Sequence, residues 1–569
     1  MKNEMRASGS LRQFCRIFFL KIILPLVFLF AITTGSCALV RDIDATYWQM
    51  FLDDFVVGRG TGLDRVVNHP RSRGLAIPAD KPWETFGCYP HYVGRKSDGT
   101  FFAFYHSFWW DTTPKAKIEN DRAHDFKQTM AYATSADGIH WDKPKLNLVE
   151  APADIDWEKF PPFPSPKGSS KENNLIVFGG DPLKPTSNVS IWDLGQYGNI
   201  TDPAKRFAIY YQESGYFSSE LPDFIHDAKW TEKLVPCGGK FSPRAKGLHY
   251  FDNLNDEWVT IVQNAVPHWL PTREIARFGS KDLQSWRSEI VVAPDSQDPH
   301  PLNAYQEPMS MVPFCADGVV FGLLSWFYSD RTIGDGGPIL NKTPEHPYIW
   351  PWARKGVNEM RISISRDGGH TWDRTSSREP WIPYGTKEDD NDRLVIGPSP
   401  PIRVGDEDWF YMSVINGNHL VIRNSPDQMP YYKDRVVKHQ VGLYTQKHNR
   451  YVSLRAGTQK AVLITKPLTL SGTVLQLNVD ATRGQLRVGI ASAEPVSTLG
   501  GTTLSTAPHL AEERPLNGFK FEDCTPIQSN SIEHNVQFKN GTTLKELSGK
   551  KVRLLFEMVD TDLYAFRVK

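Results

Sequence analysis

The acidic side chains that stand outside turns are the residues of this chain with the most chemistry to offer. General acid–base hydrolysis uses two carboxyl groups, one carrying a proton for the leaving group and one ionised. Glu307, in Asn303-Ala304-Tyr305-Gln306-Glu307-Pro308, stands at the mouth of the apolar run Met309 to Phe314. An acid there is placed to donate a proton, and apolar neighbours would raise its pKa. A solvated loop glutamate is the plainer reading. Glu359 opens the strand Asn358-Glu359-Met360-Arg361, and Arg361, two residues on, shares its face. That arginine could pair with Glu359 or hold a substrate carboxylate. Asp53 and Asp54 alternate along the strand expected from Trp48 to Val57, so at most one of them faces a common site. Asp389-Asp390-Asn391-Asp392-Arg393 is either a solvated charge run or the acidic opening of a strand. Asp111 follows Phe108-Trp109-Trp110, where Trp110 is either core or a platform for a sugar ring. His91, His106, His268, Arg273, Tyr305 and His419 complete the polar side chains that could line such a site. No cluster has zinc spacing, and no nucleophile elbow or phosphate loop is present, so neither metal nor cofactor is expected.

The elements that position these groups announce themselves through turns. Ile362-Ser363-Ile364-Ser365 alternates like a half-buried strand, and Asp367-Gly368-Gly369 is a turn whose glycines take positive φ freely. The Asp367 carboxylate is expected to accept the turn's own amides while Trp372 packs back over the hairpin. Asp367 is therefore read as structural rather than catalytic. The same order of Ser, Asp, Gly and Trp recurs at Ser135-Ala136-Asp137-Gly138-Ile139-His140-Trp141. Looser copies end in Trp286 and Trp258. This pattern resembles the Asp-box of sialidases and other β-propellers, and its repetition predicts radially arranged four-stranded sheets.

Taken in order, the chain begins with a basic stretch to Lys21, the apolar run Ile22 to Ile32 and small residues to Ala38. That is the pattern of a secretory signal, with cleavage expected after Ala38. A lipidated Cys37 and an uncleaved membrane anchor are the alternatives, and the run is short for a bilayer span of about 20 residues. A secreted or periplasmic location follows, and after cleavage no stable membrane partner is expected. Cys88, Cys237, Cys315 and Cys524 then have access to an oxidising compartment, where up to two disulfides or four buried thiols are open. Basic and acidic residues number 65 each, which gives no reason to expect a nucleic-acid partner or a charged membrane surface.

Repeat units are expected over Cys88 to Trp141, Asn174 to Trp258, Val259 to Trp286, Asn303 to Trp372 and Asp392 to Tyr444, with the Trp48 to Val57 strand closing the ring. A Pro-rich insertion spans Pro152 to Lys167. After Asn449 short strands without Asp-turns follow, such as Thr473 to Val479 and Val552 to Phe556. The fold expected is all-β: a five-bladed β-propeller over residues 39–449 followed by an antiparallel β-sandwich over 450–569.

Phe51-Leu52-Asp53-Asp54, Lys81-Pro82-Trp83-Glu84, Glu172-Asn173-Asn174-Leu175, Asp202-Pro203 with Arg206, and Val404 to Tyr411 are similar to a set of exported bacterial proteins. Those proteins resemble the five-bladed propeller enzymes of glycoside hydrolase families 32 and 43. The resemblance implies a carbohydrate substrate and catalytic acids on inner strands around a central funnel. It implies Asp54 as the ionised carboxylate, with Glu359 and Asp392 as alternates beside Glu307 as the acid. A glycoside hydrolase is the first functional reading. A carbohydrate-binding propeller without hydrolytic acids and a sialidase-like enzyme are the alternatives, the last needing three arginines on a sugar carboxylate.

Overall fold

The computed structural model describes residues 39–40, 42–85, 87–96, 98–110, 126–156, 165–176, 189–193, 207–211, 214–218, 232–234, 250–264, 273–282, 285–298, 304–330, 356–385, 394–396, 399–416, 438–493 and 515–569. The amino-terminal signal pattern, Asp111, His268, Asp392, His419 and the turn at 202–206 lie outside these residues, as do the side chains of Trp110 and Tyr305. Among the described residues every regular element is a strand or a short 3-10 turn, so the chain is all-β, as its alternating apolar patterns imply.

The strands fall into antiparallel groups that follow one another along the chain. The first runs Gly87–Arg95, Phe101–Trp110, Phe126–Ser135 and Leu175–Ile176. The second is Val189–Asp193, Phe207–Tyr211, Ser214–Ser218 and Glu232–Leu234. The third is Tyr250–Asp252, Glu257–Asn264, Glu274–Ser280 and Arg287–Val292. Ala304–Ala316, Val319–Asp330 and Gly356–Ser365 form the fourth. The fifth contains Leu394–Ile396, Glu407–Ile415 and His439–Lys447, with Arg71–Ile77 on its outer edge. A single parallel pairing of His439 with Gly87 joins the fifth group to the first.

Two expectations change here. Trp258 does not end the second group: Tyr250–Asp252 pairs with Glu257–Asn264 across a tight turn in which Asp256 has φ 55°, so this hairpin opens the third. Nor does the Trp48 to Val57 stretch close a ring. Gln49–Met50 pairs with Thr561–Val568, Val57–Thr61 with Ala461–Thr465, and Leu63–Val67 with Val452–Ala456. The physical reason is burial, since Phe51 and Val56 are wholly enclosed in the core of the carboxy-terminal sheets. Arg71–Ile77, twenty residues further on, is the early strand that joins the last group.

From residue 450 onward two antiparallel sheets share one apolar core that includes Leu463, Leu477, Val488, Phe556 and Phe566. Cys88 and Cys524 are buried free thiols, which removes the two-disulfide arrangement. Cys315 is disulfide-bonded, to a partner outside the described residues.

Candidate functional site

The Asp-turns do what their chemistry dictates. Asp367 accepts the Thr371 amide at 2.9 Å and the Thr371 hydroxyl at 2.6 Å, while Trp372 Nε1 donates to the Gly369 carbonyl at 3.0 Å. At the earlier copy Asp137 accepts the amides of Ile139 and His140, each at 2.8 Å, and Trp141 Nε1 donates to the Gly138 carbonyl. Each turn also leans on the neighbouring strand group. Tyr250 donates to the Gly368 carbonyl at 2.9 Å, and Tyr411 donates to the Gly138 carbonyl at 2.7 Å. A Cβ on Gly368, where φ is +78°, would meet Asp252 Oδ2 at 1.9 Å, so this position demands glycine twice over.

The turns after Phe126–Ser135, Glu274–Ser280 and Gly356–Ser365 mark one end of their sheets. Buried charged groups lie at this end, where Arg277 joins Asp252 and Glu257, and a second set lies toward the opposite end. Glu307, near the start of Ala304–Ala316, is fully buried, and both its oxygens accept from one residue: Arg273 Nη1 donates at 2.7 Å and the Arg273 amide at 2.8 Å. The Arg273 guanidinium lies over the Phe327 ring. The expected apolar wall is therefore replaced by an ion pair. One lone pair of each oxygen is taken up by Arg273, a more polar setting than the apolar one expected for an acid.

Glu359 is 5% exposed and accepts from Arg361 Nε at 2.8 Å and the Tyr328 hydroxyl at 3.0 Å. Burial pushes the Tyr328 phenol well up, the Arg361 charge opposing. Strand register decides whether the two glutamates can cooperate. Glu307 is opposite Phe327, and Phe327 is opposite Asn358, whereas Glu359 is opposite Trp326. Directly opposed residues share a face and successive residues alternate, so Glu307 and Glu359 project from opposite faces of one sheet.

Arg361 also explains a feature the sequence gave no spacing signal for. Asp298, 63 residues away and buried, accepts from Arg361 at 3.4 Å and pairs with Arg378 at 2.7 Å and with Arg374. The Arg361 and Arg374 guanidiniums also lie over the Trp326 ring, 4.5 and 4.6 Å from its centre. Three arginines thus converge on a carboxylate, but it is the chain's own.

His91 and His106 form a second polar pair at this end of the first group. Their rings are buried, with His91 Nε2 2.9 Å from His106 Nδ1. Such a contact requires one ring to donate and the other to accept.

Asp54 does not join these groups. Its side chain is 69% exposed and paired with Arg65, beside the strands that enter the carboxy-terminal sheets. Its neighbour Asp53 is buried and held by Arg366 through both oxygens, at 2.6 and 3.0 Å. The motif residues Trp83, Glu84 and Asn174 are structural as well. Trp83 Nε1 donates to Asn174 at 2.9 Å, and the Tyr105 hydroxyl and Lys143 donate to buried Glu84.

Asp252, Glu257 and His370 bring ligand atoms within 4.8 Å of one another. Arg277 already bridges the two carboxylates at 3.1 and 2.7 Å, so a guanidinium holds the place a cation would take.

The chain matches no family model and no curated protein. Among solved structures it is similar to a putative glycoside hydrolase from Parabacteroides distasonis at 12% identity and a TM-score of 0.32, over 67% of this chain and 96% of that one. It is similar to an N-acetylgalactosamine deacetylase from F. plautii in complex with blood group B trisaccharide at 9% identity and a TM-score of 0.34, over 69% and 97%. A third likeness, at 12% identity and a TM-score of 0.29 over 69% and 95%, is to a member of the GH130 family described as targeting β-1,2 mannosidic linkages in Candida mannan.

Proposed function

We propose that this chain is an exported carbohydrate-active protein, a glycoside hydrolase on a five-bladed β-propeller that starts at Arg71 and runs to about residue 449, followed by a β-sandwich over 450–569. The strands before Asn68 complete the sandwich. The ring is supported by the way the Asp-turns lean. The turn of the fourth group is held by Tyr250 of the third, and the turn of the first group by Tyr411 of the last. Each turn rests on the preceding group, and for the first group the preceding one is the fifth, which is the relation a closed ring requires. The basic and apolar pattern of residues 1–38 supports export to the periplasm or beyond, or an anchor that keeps the chain at a membrane.

The observation that carries the functional reading is the collection of buried polar side chains at the strand ends away from the Asp-turns. Enclosing an ion pair is no cheaper than packing apolar groups in its place, so a pair such as Arg273–Glu307 on a strand end asks for a purpose. In the reading proposed, Glu307 is the ionised carboxylate oriented by Arg273, and a second acid from beyond the described residues, Asp392 or Asp111, supplies the proton. His91 with His106 line the same site. A non-catalytic carbohydrate-binding propeller is the second reading, favoured by the opposite faces of Glu307 and Glu359. The sialidase-like reading is weakened, because the arginines it would use hold Asp298.

Purified protein screened on aryl glycosides and polysaccharides separates these readings. Turnover of one substrate supports the hydrolase. Binding without turnover across the panel supports the second reading, and neither outcome on any sugar removes both.

A further inference from the structure

Beside the outer strand of the fifth group lies a groove of about 400 Å³, within the range of small-ligand sites. Buried Trp381, Val414 and Tyr444 lie at its back, and exposed His69, Ser72 and Tyr384 at its rim. Among the described residues no Asp, Glu, Lys or Arg lines it. Ser72 and Gly74 of Arg71–Ile77 line the groove, while the alternate residue Arg73 pairs with Glu407 at 3.2 Å.

Two further observations say what the groove would take. Tyr384, at 42%, is the one aromatic among the large apolar side chains left exposed, among the described residues. A ring presented to solvent at the lip of an apolar hollow is a platform for a flat C–H face. His69 Nδ1 sits 3.0 Å from the Trp381 carbonyl oxygen. A carbonyl only accepts, so Nδ1 carries the hydrogen and Nε2 of the neutral ring is left as an acceptor for a hydroxyl. An aromatic face, an apolar back, and donors and acceptors of hydroxyl size, with no charged side chain among the described lining residues, are together the complement of an uncharged sugar.

We propose that this groove binds a short neutral oligosaccharide, stacked on Tyr384 and hydrogen-bonded by His69 Nε2 and the Ser72 hydroxyl. The site goes beyond the reaction proposed above and uses none of its residues. Isothermal titration of the full chain with xylotriose, cellotriose and mannotriose, and with trigalacturonic acid as the charged control, tests it. The expected result is a dissociation constant of about 1 mM or tighter for at least one neutral trisaccharide, weakened about tenfold or more in Tyr384→Ala. Tyr384→Phe keeps the affinity, and the double variant Arg273→Met, Glu307→Leu is titrated alongside to report binding at the Glu307 strand end. The inference is overturned if no neutral trisaccharide binds at about 10 mM, if only the acidic one binds, or if Tyr384→Ala binds like the parent. Affinity lost in the double variant and kept in Tyr384→Ala would place the sugar at the Glu307 strand end, ending this inference while leaving the proposed function standing.

Discussion

Arg273 and Glu307 form a buried ion pair. Removing one partner leaves the other charge buried, so Glu307→Gln alone is expected to lower stability by about 3–5 kcal/mol in a denaturant titration. Asp54→Ala is expected to do almost nothing, within about 0.5 kcal/mol, because an exposed pair with Arg65 contributes little. A loss of turnover in folded Asp54→Ala would restore the catalytic role its early position implied. Asp367→Ala removes an acceptor for the Thr371 amide and hydroxyl and is expected to cost about 1–3 kcal/mol, read in the same titration, with turnover per folded molecule unchanged. At this scale the sequence was informative where chemistry is local. Asp, Gly and Trp within six residues specify their own hydrogen bonds, so Asp367 was legible. Glu307 was singled out as an acid at the mouth of a strand, with a solvated loop as the alternative, but Arg273 is 34 residues away, and no local pattern states which arginine will meet which carboxylate.

At the level of elements, the junction between Glu407–Ile415 and the carboxy-terminal sheets carries a pH-dependent contact. Burial pushes the Asp408 carboxyl up to about 6; nearby Asp317 adds to the rise, while the Tyr451 hydroxyl and Arg403 oppose it. His448 Nδ1 lies 2.9 Å from Asp408, and His448 Nε2 lies 4.0 Å from Asp317. The folded state holds this proton more tightly than an unfolded aspartate of about 3.9. The contribution to stability is therefore fully present below about pH 4 and is lost as pH rises through about 6. It amounts to roughly 2–3 kcal/mol. Denaturant midpoints between pH 4 and pH 7 should fall less with rising pH in Asp408→Asn than in the parent chain, and identical slopes would remove Asp408 as the cause. Strand existence was legible in alternation, whereas strand partnership was not. Trp48 to Val57 carries the apolar residues of a strand that could serve either body, and burial of Phe51 and Val56 against the carboxy-terminal core decides it.

For the whole molecule, the amino-terminal strands bind the two ends of the chain together. A chain beginning at residue 68 lacks the three strands that pair beyond position 450 and is expected to lose more than about 5 kcal/mol, since Trp48, Phe51 and Val56 leave buried positions at once. Equal melting temperatures for chains starting at 39 and 68 would contradict that pairing. The all-β architecture could be read from turn signals and alternation, but the site could not be read whole, because it is assembled from strand ends whose neighbours are set by tertiary pairing. The central claim is that the Arg273–Glu307 end turns over carbohydrate, and the double variant Arg273→Met, Glu307→Leu tests it most directly. Replacing both charges with apolar groups of similar size removes the ion pair as a unit but leaves the amide of residue 273 without its acceptor, so the variant is expected to fold with a loss of about 1–3 kcal/mol, read in a denaturant titration. Reducing-sugar release from the polysaccharide panel should then be present in the parent and absent in the folded double variant, whereas release at the parental rate from both would contradict the account.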